Sequence, residues 1–339
     1  MASGGPLVRF GNDLYTGERS VPFVRLRRIW LTIAAVLMLA AIAVPFIRGG
    51  GDVGAGFNFG IEFRGGSQFQ VSDASSVDPD IATEAVHSIV PEATVRVTTV
   101  GEDGVRVQTD QLTDDETQQV ADALRDAYDT ETVDDSFIGA SWGADITRQA
   151  LFGLAVFLGL ATVLMAIYFR TWKMSVAAML ALLHDVVITV GVYAATGFEI
   201  TPAAIIGFLT ILGFSLYDTV VVFDKVRENT SEMGDEPTRT FGETVNLAVN
   251  QTLVRSINTG VVAALPVASI LFLGSFVLGA DTLRDISLAL LVGTLIGTYS
   301  TPFVAAPLYA LFREHEPDIA ARDKRTLGIR ARSVANTSA

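Results

Sequence analysis

Six apolar runs constrain this chain more than any other feature. The hydrocarbon core of a bilayer is about 30 Å thick and takes roughly 20 apolar residues to cross as a helix. Runs near that length fall at residues 29–47, 150–169, 174–196, 202–223, 252–273 and 286–312. They predict a polytopic α-helical membrane protein with six transmembrane helices. Four residues, Arg170, Thr171, Trp172 and Lys173, separate the second run from the third, so these two form a tight hairpin. Half of the 339 residues are hydrophobic and 18% are charged, which excludes a disordered chain and an ordinary water-soluble enzyme.

Lys and Arg set the orientation of such a bundle. With the N-terminus inside, the inner segments hold 16 of the 24 basic residues and the outer segments hold 7, while Arg255 opens the fifth run. Both termini are therefore expected in the cytosol. Arg25, Arg27 and Arg28 followed by an apolar stretch and Ala41-Ile42-Ala43 are similar to a secretory leader, but 28 residues before the apolar core are too many, so span 1 is read as uncleaved. The expected organisation is a cytoplasmic segment 1–28, span 1 at 29–47 and an extracytoplasmic domain at 48–148. Spans 2–6 follow at 149–312 with a cytoplasmic loop at 224–250, and the tail 313–339 is read as solvated and able to rest on anionic lipid.

The segment between spans 1 and 2 carries 20 acidic and 4 basic side chains over residues 49–147, nearly all of the acidity behind the net charge of −13. No basic patch replaces counterions at phosphates, so nucleic-acid binding is not expected. The acidity is read as a solvated surface, or as a surface that meets basic or unfolded partners. Its pattern predicts strand 68–71, helix 78–89 ended by Pro91, strands 94–100 and 105–109 joined by Glu102-Asp103-Gly104, helix 113–128 and strand 132–138. Thr113 and Glu116 have capping-box spacing. The order β-α-β-β-α-β is that of a ferredoxin-like α+β domain. With no cysteine and no His or carboxylate spacing that suits a metal, no cofactor and no metal are expected; His87 is read as a solvated histidine.

Ionisable groups in hydrocarbon are costly, and each is a functional candidate. Span 3 carries His184 and Asp185, span 4 carries Asp218, and Arg255 opens span 5. Asp218 lies roughly 9 Å above Asp224 along its helix, which allows it to meet Arg255 at similar depth. Burial raises a carboxyl pKa and a guanidinium lowers it, so such a pair can load and release a proton, or can simply join two helices. Ser215, Tyr217 and Thr219 flank Asp218 as hydrogen-bonding groups, and Asp185 is a weaker candidate for the same proton path. His184-Asp185 is also readable as a polar contact to a neighbouring helix. Gly153, Gly159, Gly207, Gly213, Gly293 and Gly297 suit close helix packing, and Pro266, Pro302 and Pro307 suit kinks. The stretch 240–254 is amphipathic and fits either a membrane-surface helix or a plain surface helix.

The run from Gly213 to Asn229, GFSLYDTVVVFDKVREN, closely resembles the signature of the SecF family of protein-export membrane subunits. So do Gly60-Ile61-Glu62-Phe63-Arg64-Gly65-Gly66, where the family more often has Asp in place of Glu62, Leu182-Leu183-His184-Asp185-Val186, and Asn250 through Ser256. The matches occur in the family's order over residues 25–312. The resemblance implies a partner, SecD, with which SecF forms a transporter of the RND superfamily in the prokaryotic cell membrane. It implies association with the SecYEG translocon and use of the proton-motive force to help draw out unfolded preproteins. It assigns proton coupling to Asp218 and Arg255, and makes Gly60, Glu62, Gly65 and Gly66 the family motif. The alternatives are a proton-coupled carrier of lipid or small solute, and a structural translocon subunit without proton coupling. Tyr217-Asp218 within a helix is also similar to an intramembrane aspartyl protease, but the required GxGD is absent and no enzyme is expected.

Overall fold

A computed structural model describes residues 6–101, 103–169, 171–231, 238–276 and 281–337. Arg170 of the tight hairpin, Glu102 of the expected hairpin turn and residues 232–237 of the loop expected to be cytoplasmic lie outside the described residues. In chain order the elements are α1 (Pro6–Thr16), α2 (Arg27–Arg48), β1 (Asn58–Phe59), α3 (Ile61–Arg64), β2 (Gly66–Val71), α4 (Pro79–Ile89), β3 (Arg96–Val100), β4 (Gly104–Thr109), α5 (Asp114–Tyr128) and β5 (Val133–Ile138). There follow α6 (Ala140–Phe169), α7 (Trp172–Thr196), β6 (Glu199–Ile200), α8 (Pro202–Ser231), α9 (Phe241–Phe276), α10 (Asp281–Ser300), α11 (Ala306–Arg313) and α12 (Pro317–Thr337).

Among the described residues six helical stretches are long and apolar enough to cross a membrane, and each overlaps one of the apolar runs. The helices overrun several of those runs, α6 at its start and α8 and α9 where they face each other. α8 continues to Ser231 and α9 begins at Phe241, so most of the expected loop 224–250 extends the two spans as helix. The amphipathic stretch from residue 240 is thus the first part of α9. Its Phe241, Val245, Ala248 and Val249 are buried against Phe223, Val226 and Tyr309, with no separate surface helix. The N-terminal segment and the tail each form a helix held against α9. α1 lies along α9 with Leu14 buried, and α12 docks through Asp323, whose Oδ1 accepts the Phe241 N–H (2.8 Å), and through Arg330, which pairs with Glu243 (2.7 Å).

α10 is the centre of the bundle and packs along α8, α9 and α7, while α2 lies on α7. Missing side chains allow this approach. A Cβ on Gly207 would lie 2.6 Å from Ala289 Cβ, and one on Gly293 would lie 2.4 Å from Ile211 Cγ1. Gly153, Gly159 and Gly213, expected in the same role, have open space beside them. The sixth span is not a uniform helix. Thr301–Ala305 widens into a π turn around Pro302, which lacks the N–H the α-helical ladder needs at that point. Pro266, expected to kink span 5, sits within α9, which runs through it.

Between α2 and α6 the chain forms a four-stranded antiparallel sheet of order β3-β4-β2-β5, with α4 and α5 on one face. This is the split βαβ topology expected for residues 48–148. Asp78 caps α4 by accepting the Asp80 N–H (3.1 Å), and Pro79 occupies the first turn. Thr113 and Glu116 form the capping box of α5 with reciprocal bonds of 3.3 and 2.8 Å. Phe69, Val71, Val105, Val107, Val120, Leu124 and Tyr128 fill the core between sheet and helices. Alternation along the strands leaves Gln68, Arg106 and Gln108 on the opposite face. A second, two-residue sheet pairs β1 with β6, parallel, and links the exit from α2 to the connection between α7 and α8.

Candidate functional site

The two carboxylates expected inside the membrane are both buried, Asp185 at 3% and Asp218 at 4% exposure. Their helices α7 and α8 are consecutive, antiparallel and packed together. Ser215 Oγ on α8 donates to Asp185 Oδ2 on α7 (2.5 Å). Ser215 and Asp218 are three residues apart and therefore share a helix face. The serine that binds one carboxylate thus lies one turn from the other.

α10 supplies the remaining partners from the turn where it widens. Ser300 Oγ donates to the same Asp185 Oδ2 (2.9 Å), and Thr301 exchanges a hydroxyl bond with Thr219 (3.1 Å). Pro302 was readable as a kink, but the π turn that aims Ser300 and Thr301 inward was not. π turns inside α-helices recur at functional sites because they re-aim side chains. His184 completes the group. Its Nδ1 lies 3.1 Å from Asp185 Oδ1 and its Nε2 lies 3.0 Å from the Tyr299 hydroxyl. With Nδ1–H donating to the carboxylate, Nε2 accepts from Tyr299. The histidine therefore makes the contact to a neighbouring helix that its position suggested.

Asp218 is less fully occupied. Ser256 Oγ on α9 donates to its Oδ1 (2.8 Å), while its Oδ2 is buried with no partner in good hydrogen-bond geometry, the Thr301 hydroxyl being the polar group near the carboxylate. Arg255, the residue before Ser256, does not form an ion pair with Asp218. It lies on the exposed side of α9 and donates from Nη2 to the Tyr217 hydroxyl (3.3 Å). Span 5 does reach the depth of Asp218, but through the serine. The hundred-degree step between neighbouring helix positions turns the guanidinium to another face. Among the described residues no group of three His, Cys, Asp or Glu is arranged to hold a metal ion.

The Gly60–Gly66 motif lies elsewhere, where the four-stranded domain meets the bundle. Gly65 (φ 78°) and Gly66 (φ 145°) turn the chain from α3 into β2, and a Cβ on Gly66 would lie 2.3 Å from the Thr109 carbonyl oxygen. A Cβ on Gly60 would collide with the Glu62 carboxylate. Glu62 is half-buried with its Oε2 unpartnered. Burial pushes its carboxyl above the ordinary range, and the nearby Glu199 adds to the shift.

Comparison with known proteins accords with this architecture. Residues 119–315 match the family described as protein export membrane protein SecD/SecF, C-terminal, and residues 53–72 match the SecD/SecF GG motif. The protein translocase subunit SecF of Streptomyces coelicolor is 42% identical over 328 residues, which cover 96% of this chain and 85% of that one. The chain belongs to the SecD/SecF family, as a SecF subunit. Another SecF relative, from Mycobacterium tuberculosis strain H37Rv, is 38% identical over 94% of this chain and 73% of its own length. The crystal structure of SecDF from Thermus thermophilus matches with a TM-score of 0.75 at 29% identity, covering 88% of this chain. This SecF chain spans 39% of that SecDF chain, in which SecD and SecF are named together. The family's role is protein translocation, its relatives are translocase subunits, and SecD is its partner. The SecF chain is accordingly a multi-pass membrane protein.

Proposed function

We propose that this SecF subunit works with SecD to couple the proton-motive force to export of unfolded preproteins through SecYEG, with Asp218 as a proton-carrying group. The supporting observation is the buried carboxylate of Asp218, which has Ser256 on one oxygen and only the Thr301 hydroxyl near it besides, with no partner in good hydrogen-bond geometry on the other. A buried carboxylate whose oxygens are not all bonded is costly to keep ionised in a dehydrated site. Asp185 is the better satisfied of the two, with Ser215, Ser300 and His184 all bonded to it. It therefore serves as the fixed polar hub on which α7, α8 and α10 register, with proton exchange at Asp218 altering their packing. Arg255 acts at longer range, holding Tyr217 and contributing positive charge near the site. The bundle is oriented with both termini in the cytosol and the ferredoxin-like domain outside, as the basic residues favour.

The test is translocation of a preprotein into sealed vesicles that contain SecYEG, SecD and this chain, with and without a proton gradient. Asp218→Asn keeps size and hydrogen bonding but removes the titrating charge. The expected result is loss of the gradient-dependent part of translocation while the SecD complex still assembles. Gradient-dependent translocation equal to wild type would refute the assignment of Asp218.

A further inference from the structure

The outer domain enters and leaves the bundle through short connections. On one side the chain passes through Gly65 and Gly66, both at positive φ, and on the other through Gly139 between β5 and α6. These two glycines take up backbone conformations that place the turn directly before the first residue pair of the sheet, so few residues join the two parts. The β1–β6 pairing lies on the bundle side of Gly65 and therefore does not fix the body of the domain. Something beyond the chain connections has to hold the four-stranded sheet in one orientation.

The non-covalent link is polar and buried. Arg106 and Gln108 project from β4 on the sheet face opposite α4 and α5. Arg106 Nη1 lies 3.4 Å from Glu199 Oε2, and Gln108 Nε2 donates to Glu199 Oε1 (2.8 Å) and to Gln68 Oε1 (3.1 Å). The Arg106 and Glu199 side chains are 7% and 9% exposed. Asp285 is buried nearby and accepts from Thr201 (2.9 Å). Glu199 belongs to β6, within the short connection between α7 and α8, the two helices that carry Asp185 and Asp218. Buried ion pairs contribute little net stability because both charges lose hydration. Their stronger effect is to select one geometry, since any other leaves a buried charge without its partner. The apolar cluster of Phe57, Phe59 and Phe63 with Tyr193 and Ile200, like the β1–β6 pairing, lies on the bundle side of Gly65 and builds the base on which the sheet rests.

We infer that Arg106 and Gln108 on the sheet and Glu199 on the α7–α8 connection are positioning residues that tie the orientation of the outer domain to the two carboxylate-bearing helices. A change in the packing of α7 against α8 moves Glu199, and Glu199 carries the sheet with it. The significance of this tie for export rests on the proposed function; the tie itself does not.

The natural chain contains no cysteine, so a spin label can be placed at single sites. Labels at Asp126→Cys on α5 and Ala195→Cys at the outer end of α7 report the distance between domain and bundle in the reconstituted SecD complex. Wild type is expected to give one narrow distance distribution. Arg106→Leu and Glu199→Gln are each expected to broaden it severalfold, and the exchanged pair Arg106→Glu with Glu199→Arg to narrow it again. Arg106→Leu is also expected to lose most gradient-dependent translocation while still assembling with SecD. Should Arg106→Leu disrupt assembly, the milder Gln108→Ala is the variant to measure, and it too is expected to broaden the distribution. Distributions as narrow as wild type in Glu199→Gln and Gln108→Ala would overturn the tie. If Asp218→Asn leaves translocation unchanged while Glu199→Gln broadens the distribution, the proton reading fails and the tie stands.

Discussion

A methyl group added to Gly293 tests the contact on which the site's geometry depends. Its Cβ would stand 2.4 Å from Ile211 Cγ1, 2.7 Å from Cγ2 and 2.9 Å from Cβ. Carbon atoms in favourable contact sit about 3.5–4.0 Å apart. Ile211 cannot turn away, because it is β-branched, buried and approached at its own Cβ. The α8 and α10 backbones must therefore part by about 1 Å, and overpacking of this kind costs about 1–3 kcal/mol. The upper end is expected here, since three atoms of one stiff side chain are struck. A cost of about 2–3 kcal/mol lowers the folded-to-unfolded ratio roughly 30- to 150-fold. Gly213→Ala is the matched control on α8, because its added Cβ meets nothing within 4 Å. There the change is expected to be neutral or to stabilise by about 0.5–1 kcal/mol, from helix propensity alone. The assay is equilibrium unfolding of the purified full chain in detergent micelles, with helix content as the signal. Because Ser300 lies two turns beyond Gly293 on the same helix, Gly293→Ala is also expected to weaken the Ser300 bond to Asp185 and to reduce gradient-dependent translocation. Equal stability of the Gly293→Ala and Gly213→Ala variants would refute the reasoning.

Three further outcomes follow from individual contacts. Ser300→Ala removes one of the two hydroxyl donors on Asp185 Oδ2 and is expected to cost about 1–3 kcal/mol. Ser215→Ala is expected to be non-additive with it, because the two share one acceptor, and a double-mutant cycle by the same unfolding assay measures the coupling. The Glu62 carboxyl lies above its ordinary value of 4.5 through burial, so the folded chain holds a proton more tightly than the unfolded chain. That contribution is fully present below the ordinary value and is lost as pH rises through the folded value. Unfolding measured across this window is expected to show stability falling with pH, and Glu62→Gln is expected to flatten the fall. Thr113→Ala opens the capping box of α5 at a cost of about 1 kcal/mol, readable as faster hydrogen exchange at the Glu116 amide of the full chain.

What the sequence displayed and what it concealed follow one physical distinction. Apolar length and strand alternation are local quantities, so the six spans and the order of the ferredoxin-like domain were legible at the level of individual elements. The capping box was legible for the same reason, since Thr113 and Glu116 meet within one helical turn. Glycine spacing was not sufficient. Gly207 and Gly213 look equivalent along α8, yet Gly207 lies against Ala289 and Gly213 faces open space, because a helix rotation of some 240° separates them. Asp218 and Asp185 were legible as charges interrupting apolar runs, whereas their partners depended on the rotation of a third and a fourth helix. Arg255 was chosen for its charge and depth, but the neighbouring Ser256 faces Asp218, and a serine in a membrane helix carries no comparable signal. Glu199 was concealed more deeply still. It reads as an ordinary loop acid between two spans, and its role depends on Arg106 and Gln108, about ninety residues earlier. The sign of that role is visible only when both side chains are found buried together. A charge left in a loop by its sequence context can remain hydrated; one enclosed between a sheet and a helix connection has to be matched by an opposite charge. In this fold that requirement joins the domain outside the bundle to the helices within it.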